Sequence, residues 1–166
     1  MGPKLPPLRF VRSVLKSFMS ESGLEPRLLG ANIRVTNAVY GKVDFELDIT
    51  KDHTNRLKIL HGGTIASLVD LGGSLAVAST GLYATGVSTD LNVTYLSGGG
   101  KVGDKITGTA ICDKIGKTLA YTSITFQNTK GELAARGSHT KYVTEAVQTQ
   151  GSLFVLPEGA EIAKEE

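Results

Sequence analysis

Residues 61–81 read HGGTIASLVDLGGSLAVASTG, a stretch whose apolar content and spacing predict one long helix. It contains a single acidic side chain, Asp70, and no lysine or arginine. Residues three and four positions apart share a helical face, so Asp70 falls among small side chains beside an apolar stripe and should face a slot. A carboxylate is costly to bury, which makes Asp70 a candidate general base; an ordinary exposed aspartate is the alternative.

The start of this helix carries His61, Gly62 and Gly63. Glycines at a helix N-terminus leave backbone N–H groups uncovered, and the helix dipole favours negative charge there. Such a group can stabilise a developing oxyanion, although a plain glycine turn is the simpler interpretation. Together, Gly62 and Asp70 predict a site with two parts.

Spacing along the helix constrains this site. Gly62 and Asp70 are eight positions apart, which corresponds to roughly 12 Å at about 1.5 Å per residue. One carbonyl carbon cannot contact both groups. If both act on one substrate, Asp70 must come from a second, antiparallel copy of the helix, so we expect an obligate dimer with two shared sites.

Composition excludes several classes of protein. The chain has 166 residues, 40% hydrophobic and 20% charged, and a net charge of +2, which is typical of one globular domain and argues against nucleic-acid binding. Cys112, the single cysteine, precludes an internal disulfide and is expected in the core. No stretch reaches the length of a membrane span. His53, His61 and His139 lack metal-ligand spacing, so we expect no metal and no cofactor.

The order of the predicted elements indicates an α+β architecture. A helix over 7–19 precedes strands over 32–38 and 42–49, the central helix, and strands over 86–96, 105–114, 117–128 and 133–143. An antiparallel sheet wrapped round the long helix is the economical arrangement. We divide the chain into an N-terminal tail and packing helix (1–30), the main domain (31–143) and a C-terminal tail (144–166).

Three smaller expectations concern packing and location. Gly72 and Gly73 are costly within a helix, which suggests close backbone packing at the subunit contact. In the tail, residues 153–156 are expected to dock locally, whereas 161–166 should be solvated. The basic amphipathic helix over 7–19 is favoured as a packing helix over a mitochondrial presequence, and a cytoplasmic or mitochondrial-matrix location is expected.

An ordered set of motifs resembles the hotdog-fold acyl-CoA thioesterases of the thioesterase superfamily member 2 type and, more distantly, the phenylacetate-pathway thioesterases. The resemblance covers about residues 7–143. The motifs are Asn55, Leu60-His61-Gly62-Gly63, Leu68-Val69-Asp70, Gly86-Val87-Ser88, Asp90-Leu91-Asn92-Val93-Thr94-Tyr95-Leu96, Gly116-Lys117-Thr118-Leu119-Ala120 and Gly137-Ser138-His139-Thr140-Lys141. In this family a proline usually follows the position of Ser97, and one fewer residue separates that position from the position of Lys101. This chain has three glycines there.

The resemblance implies a hotdog fold and hydrolysis of medium- to long-chain fatty acyl-CoA to free acid and CoA by a homodimer that assembles into a homotetramer. It implies that Gly62 binds the thioester carbonyl and that Asp70 of the partner subunit acts as general base or nucleophile. Asn55 and His61 would hold the hydrogen-bond network, and Ser88 would position water. The implied CoA contacts are Tyr95, Leu96, Ser97, Lys114, Gly116, Lys117, Thr118 and Tyr142.

Two other functions are compatible with the same sequence. A hydratase or dehydratase of acyl-CoA would need an acid–base pair, for which His61 and Asp70 are available. A non-catalytic acyl-CoA-binding or scaffolding protein would keep the fold without turnover, although such a protein has no need of a base.

Overall fold

A computed structural model describes residues 1–165, which form four helices and six strands. The helices are α1 (Pro7–Glu21), α2 (Leu24–Leu28), α3 (Gly62–Ala78) and α4 (Thr144–Thr149). The strands are β1 (Ile33–Val39), β2 (Lys42–Asp48), β3 (Val87–Tyr95), β4 (Lys105–Ile115), β5 (Leu119–Gln127) and β6 (Leu133–Tyr142). Short 3₁₀ turns cover Gly30–Asn32 and Lys51–His53.

All six strands form one antiparallel sheet in the order β1-β2-β4-β5-β6-β3. The hairpins predicted from short connections are present for β1–β2, β4–β5 and β5–β6. The short connection over 97–100 predicts that β3 and β4 are also neighbours, and this is wrong, because β3 pairs with β6 at the edge of the sheet. The long helix α3 packs against one face of the sheet, with most of its residues buried. The predicted α+β hotdog architecture is therefore confirmed. Within residues 1–165 no helix is long and apolar enough to cross a membrane.

Glycines on the facing surfaces let α3 approach the sheet closely. A Cβ on Gly72 would lie 3.2 Å from side-chain atoms of Phe45 and Ile124, and a Cβ on Gly73 would collide with the ring of His139. On the sheet, Gly137 lies against Val69 in the same way. The close packing predicted for Gly72 and Gly73 is present, but the expected subunit contact is wrong, because both glycines face the sheet of their own chain.

The two ends of the chain pack together beside the sheet. Phe10 in α1 is fully buried and makes an edge-to-face contact with Phe154, at 5.4 Å between ring centroids, so the expected docking of the apolar tail segment and the packing role of α1 are confirmed. Residues 161–165 are mostly exposed but not free. Glu161 pairs with Lys16 at 2.7 Å, and the Ala163 N–H donates to Ser13 Oγ at 2.8 Å. Glu166 lies outside the described residues.

We predict that Gly73→Ala destabilises the protein even though alanine is the better helix former. The added methyl group must displace the buried His139 ring, and overpacking of this kind costs about 1–3 kcal/mol against a propensity gain of about 1 kcal/mol. Gly98→Ala is the control, because a Cβ there meets no atom within 4 Å. Denaturant unfolding measures both variants, and a Gly73→Ala protein as stable as wild type would contradict the packing described.

Candidate active site

The N-terminus of α3 presents a free backbone donor. His61 is the N-cap residue, and its Nδ1 accepts a hydrogen bond from the Gly63 N–H at 2.7 Å. The N–H groups of Thr64 and Ile65 donate to the His61 carbonyl. The Gly62 N–H has no acceptor among residues 1–165. One donor thus stays available at the positive end of the helix dipole.

The loop before α3 is held in place by several hydrogen bonds. His53 is fully buried, with Nε2 at 2.6 Å from the Leu28 carbonyl, and its own carbonyl accepts from the His61 N–H at 2.8 Å. Asn55 Oδ1 accepts from the N–H groups of the residues two and four positions later, at 2.9 and 3.3 Å. Asn55 therefore shapes its own loop here, and His61 caps its own helix.

The three-glycine loop supports the same end of α3. The Gly100 carbonyl accepts from the Leu60 N–H at 2.7 Å, and a Cβ on Gly99 would collide with the Leu60 side chain. Gly100 has φ +128°, a backbone conformation that residues other than glycine rarely adopt. Gly99 and Gly100 thus pack under Leu60, the residue that leads into the helix.

Tyr95, Leu96 and Ser97 lie beside this helix start. The Tyr95 hydroxyl donates to the Gly62 carbonyl at 2.6 Å, and the Leu96 and Ser97 N–H groups both donate to the Ala134 carbonyl. Of the three residues predicted as CoA contacts, Tyr95 therefore contacts Gly62, whereas Leu96 and Ser97, which follow it in the chain, bond to the end of β6.

Asp70 lies in the middle of α3 and lines a cleft of about 420 Å³. The cleft is mainly apolar and also includes Leu24, Glu25, Leu28, Leu29, Ala66, Ser67 and Leu91. The expected slot is confirmed, with α2 as its far wall. Within residues 1–165 the Asp70 carboxylate makes no hydrogen bond or ion pair, so it is available to a molecule in the cleft.

A buried polar cluster lies between α3 and the inner face of the sheet near Asp70. Lys141 is 3% exposed, and its Nζ donates to Ser74 Oγ at 2.8 Å. His139 is fully buried, and its Nε2 lies 2.7 Å from Ser88 Oγ. His139 Nδ1 has no hydrogen-bond partner in the described chain, although the Asp70 backbone is close enough to influence it.

Burial sets the charge of this cluster. It lowers the pKa of His139, and the neighbouring Lys141 charge acts in the same direction, against the attraction of Asp70 and Asp90. The imidazole is therefore neutral at pH 7, so Ser88 faces an uncharged ring. Burial also lowers the pKa of Lys141, and the Asp70 carboxylate opposes that shift.

Sequence reasoning assigned no role to Ser74, His139 or Lys141. Side chains alternate along β6, so the buried Ala135 places Gly137, His139 and Lys141 on the inner face of the sheet. That periodicity is the signal that could have found two titratable groups pointing at the central helix.

The second group of predicted CoA contacts lies elsewhere in the chain. Lys114, Gly116, Lys117 and Thr118 form the β4–β5 hairpin, and Tyr142 pairs with Leu119 and Val87. Tyr95 pairs with Ala135, seven residues from Tyr142 along β6, which is about 23 Å at 3.3 Å per residue. One chain therefore does not bring the two predicted groups together, just as it separates Gly62 from Asp70.

The edge strand β3 is exposed along its whole length. Val87 and Tyr95, its first and last residues, are 64% and 52% exposed, and all but one of its nine residues are classed as exposed. Among residues 1–165 only β6 pairs with it, so its outer row of backbone groups is unpaired. Long exposed edges of this kind are surfaces that pair with another strand.

Two further features contribute nothing to this site. Burial raises the pKa of the Cys112 thiol to about 11, so it stays protonated at neutral pH and is no nucleophile. A larger cavity of about 750 Å³ lies between the two chain ends and contains none of the predicted site residues. No cluster of His, Cys, Asp and Glu able to hold a metal ion occurs in the described part of the chain.

Comparison with known proteins places these features in a family. The sequence model described as thioesterase superfamily matches residues 57–135. A Schizosaccharomyces pombe relative is 45% identical over 140 residues, which are 84% of this chain and 86% of that protein. Human acyl-coenzyme A thioesterase 13 is 42% identical over 134 residues, which are 80% of this chain and 94% of that protein.

A solved structure shows the same fold. Zebrafish thioesterase superfamily member 2 superposes with a TM-score of 0.74 at 37% identity, covering 83% of this chain and 98% of that one. The match spans at least 86% of each of these three proteins, and the sequence identities lie between 37% and 45%. The chain therefore belongs to the thioesterase superfamily.

Proposed function

We propose that this protein is an acyl-CoA thioesterase that hydrolyses medium- to long-chain fatty acyl-CoA to the free acid and CoA. The name of the human relative supports the acyl-CoA substrate class. The leucines of α2 and β3 that line the cleft beside Asp70 support an aliphatic acyl chain. The observation that carries the proposal is the free Gly62 N–H at the start of α3, which suits a thioester carbonyl as it becomes an oxyanion.

The reaction needs a second group to supply water. In this proposal Asp70 removes a proton from the attacking water, or attacks the carbonyl carbon itself, and Ser88 positions the water. When water attacks, collapse of the tetrahedral intermediate breaks the C–S bond, the CoA thiolate takes the proton held by Asp70, and the free acid remains. When Asp70 attacks, collapse releases the CoA thiolate and leaves an acyl–Asp70 anhydride, which water then hydrolyses to the acid. The proposed CoA contacts form two groups, one at each end of the β3–β6 pair. The first group is Tyr95, Leu96 and Ser97, and the second is Lys114, Gly116, Lys117, Thr118 and Tyr142. Asn55 and His61 support the oxyanion end through the loop and the cap that they form.

The same proposal requires a dimer. Two β3 edges paired antiparallel about a twofold axis would place the Tyr95 end of one chain beside the Val87 end of its partner. This brings Gly62 of one chain toward Asp70 of the partner subunit and joins the two groups of CoA contacts. The exposure of β3 supports this pairing. We further propose that two such dimers associate into a tetramer, which light scattering tests directly.

We predict that Asp70→Asn lowers kcat by about 100- to 10,000-fold while KM changes little, because the amide keeps the shape but cannot accept a proton. Thiol release from acyl-CoAs of increasing chain length, with phenylacetyl-CoA included, measures both constants. Asp52→Asn, in the exposed turn at Lys51–His53, is the control. Unchanged turnover in Asp70→Asn would refute the role of Asp70, and no thiol release by wild type would favour the binding protein.

We predict that Gly62→Pro abolishes most activity whereas Gly62→Ala does not. Proline is accepted at the first position of a helix, where it removes the N–H, and His61 already has the extended conformation that precedes proline. Loss of one oxyanion donor costs about 100- to 1,000-fold in kcat. Alanine introduces the same Cβ near the Tyr95 ring but keeps the donor, so it controls for crowding. Equal losses in both variants would assign the effect to Tyr95 and not to the N–H.

Mixing the two inactive variants tests whether the site is shared. In a dimer of one Gly62→Pro chain and one Asp70→Asn chain, one shared site carries both changes and the other carries neither. Random assortment makes half of the dimers mixed, so coexpression should restore about one quarter of wild-type activity. A site within one chain would gain nothing from mixing, and an inactive mixture of correctly assembled chains would exclude the shared site.

A further inference from the structure

We infer that Lys141 is a positioning residue of this site, whose buried ammonium, fixed by Ser74, is the counter-charge that holds and orients the Asp70 carboxylate. This inference rests on the proposed function for its catalytic consequence. The charge pairing itself can be tested without any measurement of activity.

The first step is the burial of Lys141. Lysine is almost never fully buried without a partner, because removing an ammonium from water is costly. Lys141 is 3% exposed within a single chain, on the inner face of β6, and its Nζ donates to the hydroxyl of Ser74. A hydroxyl satisfies one donor but carries no charge, so a buried ammonium at this position needs an anion nearby.

The second step identifies that anion. Ser74 follows Asp70 by one helical turn, so the two side chains lie on the same face of α3. The Asp70 charge is the one that favours the protonated form of Lys141. Across the cleft, α2 contributes Glu25, and β3 contributes Asp90, which acts on His139; the register partners of Lys141 are Ser88 and Ala120, both uncharged.

The third step concerns what this arrangement does to Asp70. Its carboxylate lacks any hydrogen bond within the described chain and would rotate freely in the cleft without a fixed charge. The Lys141 ammonium forms no direct ion pair with Asp70 in the single chain, but its charge attracts the carboxylate and favours the orientations that point toward it. Lys141 therefore acts through Asp70 and does not itself contact the reacting atoms.

A double-mutant cycle tests the charge pairing by stability. Asp70→Asn leaves the buried ammonium without its counter-charge and should lower the melting temperature by about 5 °C at pH 7. In a Lys141→Met background, where the site is apolar and of similar length, the same substitution should change it by less than about 1 °C. The cost of Asp70→Asn should also shrink toward pH 10, as Lys141 loses its proton. Equal effects in both backgrounds would overturn the inference.

The pH dependence of activity tests the catalytic consequence. Since burial lowers the pKa of Lys141, wild-type kcat should fall on the alkaline side below the pH at which an exposed lysine titrates, as the counter-charge is lost. Lys141→Met should have low activity and no alkaline fall. Lys141→Arg, which stays charged throughout, should lose the alkaline fall while keeping more activity than Lys141→Met. Lys130→Met, at an exposed hairpin turn, is the control.

These outcomes separate this inference from the proposed function. A protein that releases no thiol but shows coupling between Asp70 and Lys141 in the stability cycle keeps the charge pairing and loses the enzyme. A wild-type profile that stays flat to pH 10, or an unchanged alkaline fall in Lys141→Arg, overturns the role of Lys141 in catalysis. If Lys141→Met does not fold, Lys141→Arg still decides between these results, because it removes the titration and keeps the charge.

Discussion

The close contact between α3 and the sheet determines where every group of the site lies. Gly72 and Gly73 each cost about 1 kcal/mol of helix propensity relative to alanine, and they let the helix rest directly on Phe45, Ile124 and His139. Burial of a helix without lysine or arginine more than offsets that cost. The short distance has a second consequence, because polar side chains on the inner face of β6 then reach the helix beneath Asp70.

One helix carries two chemically different groups, a free N–H at its positive end and a carboxylate two turns later. Their separation is a property of helix geometry and cannot be removed by adjusting side chains. The sheet repeats the same division, since Tyr95 and Tyr142 mark opposite ends of the β3–β6 pair. The twofold axis proposed at the exposed β3 edge would resolve both separations with one operation, which is economical for a chain of this size.

Periodicity predicted each end of the long elements to within three residues, and several of these ends without error. The central helix stops at Ala78 and not at Gly81, because Ser79 and Thr80 close it with turn hydrogen bonds and Gly81 has φ +100°. The helices α2 and α4 were missed because five or six residues hold too few positions to show a period. Asp70 and Gly62 stood out by interrupting a pattern, whereas the partnership of Lys141 with Ser74 depends on strand register and helix rotation, which no local pattern encodes.

A buried lysine and a buried histidine under the helix that carries Asp70 are costly residues for a protein core. Apolar residues of similar volume at such positions often leave stability unchanged or increase it. This free-energy cost is useful only if the Asp70 carboxylate must stay oriented when water is removed from around it. Since Leu91 of β3 lines the cleft where Asp70 lies, a second chain paired along β3 in the proposed dimer would cover that cleft and remove the water. Without that water, the Asp70 carboxylate would need a nearby positive charge when the substrate binds. Lys141, buried beneath the helix and bonded to Ser74, would supply that charge.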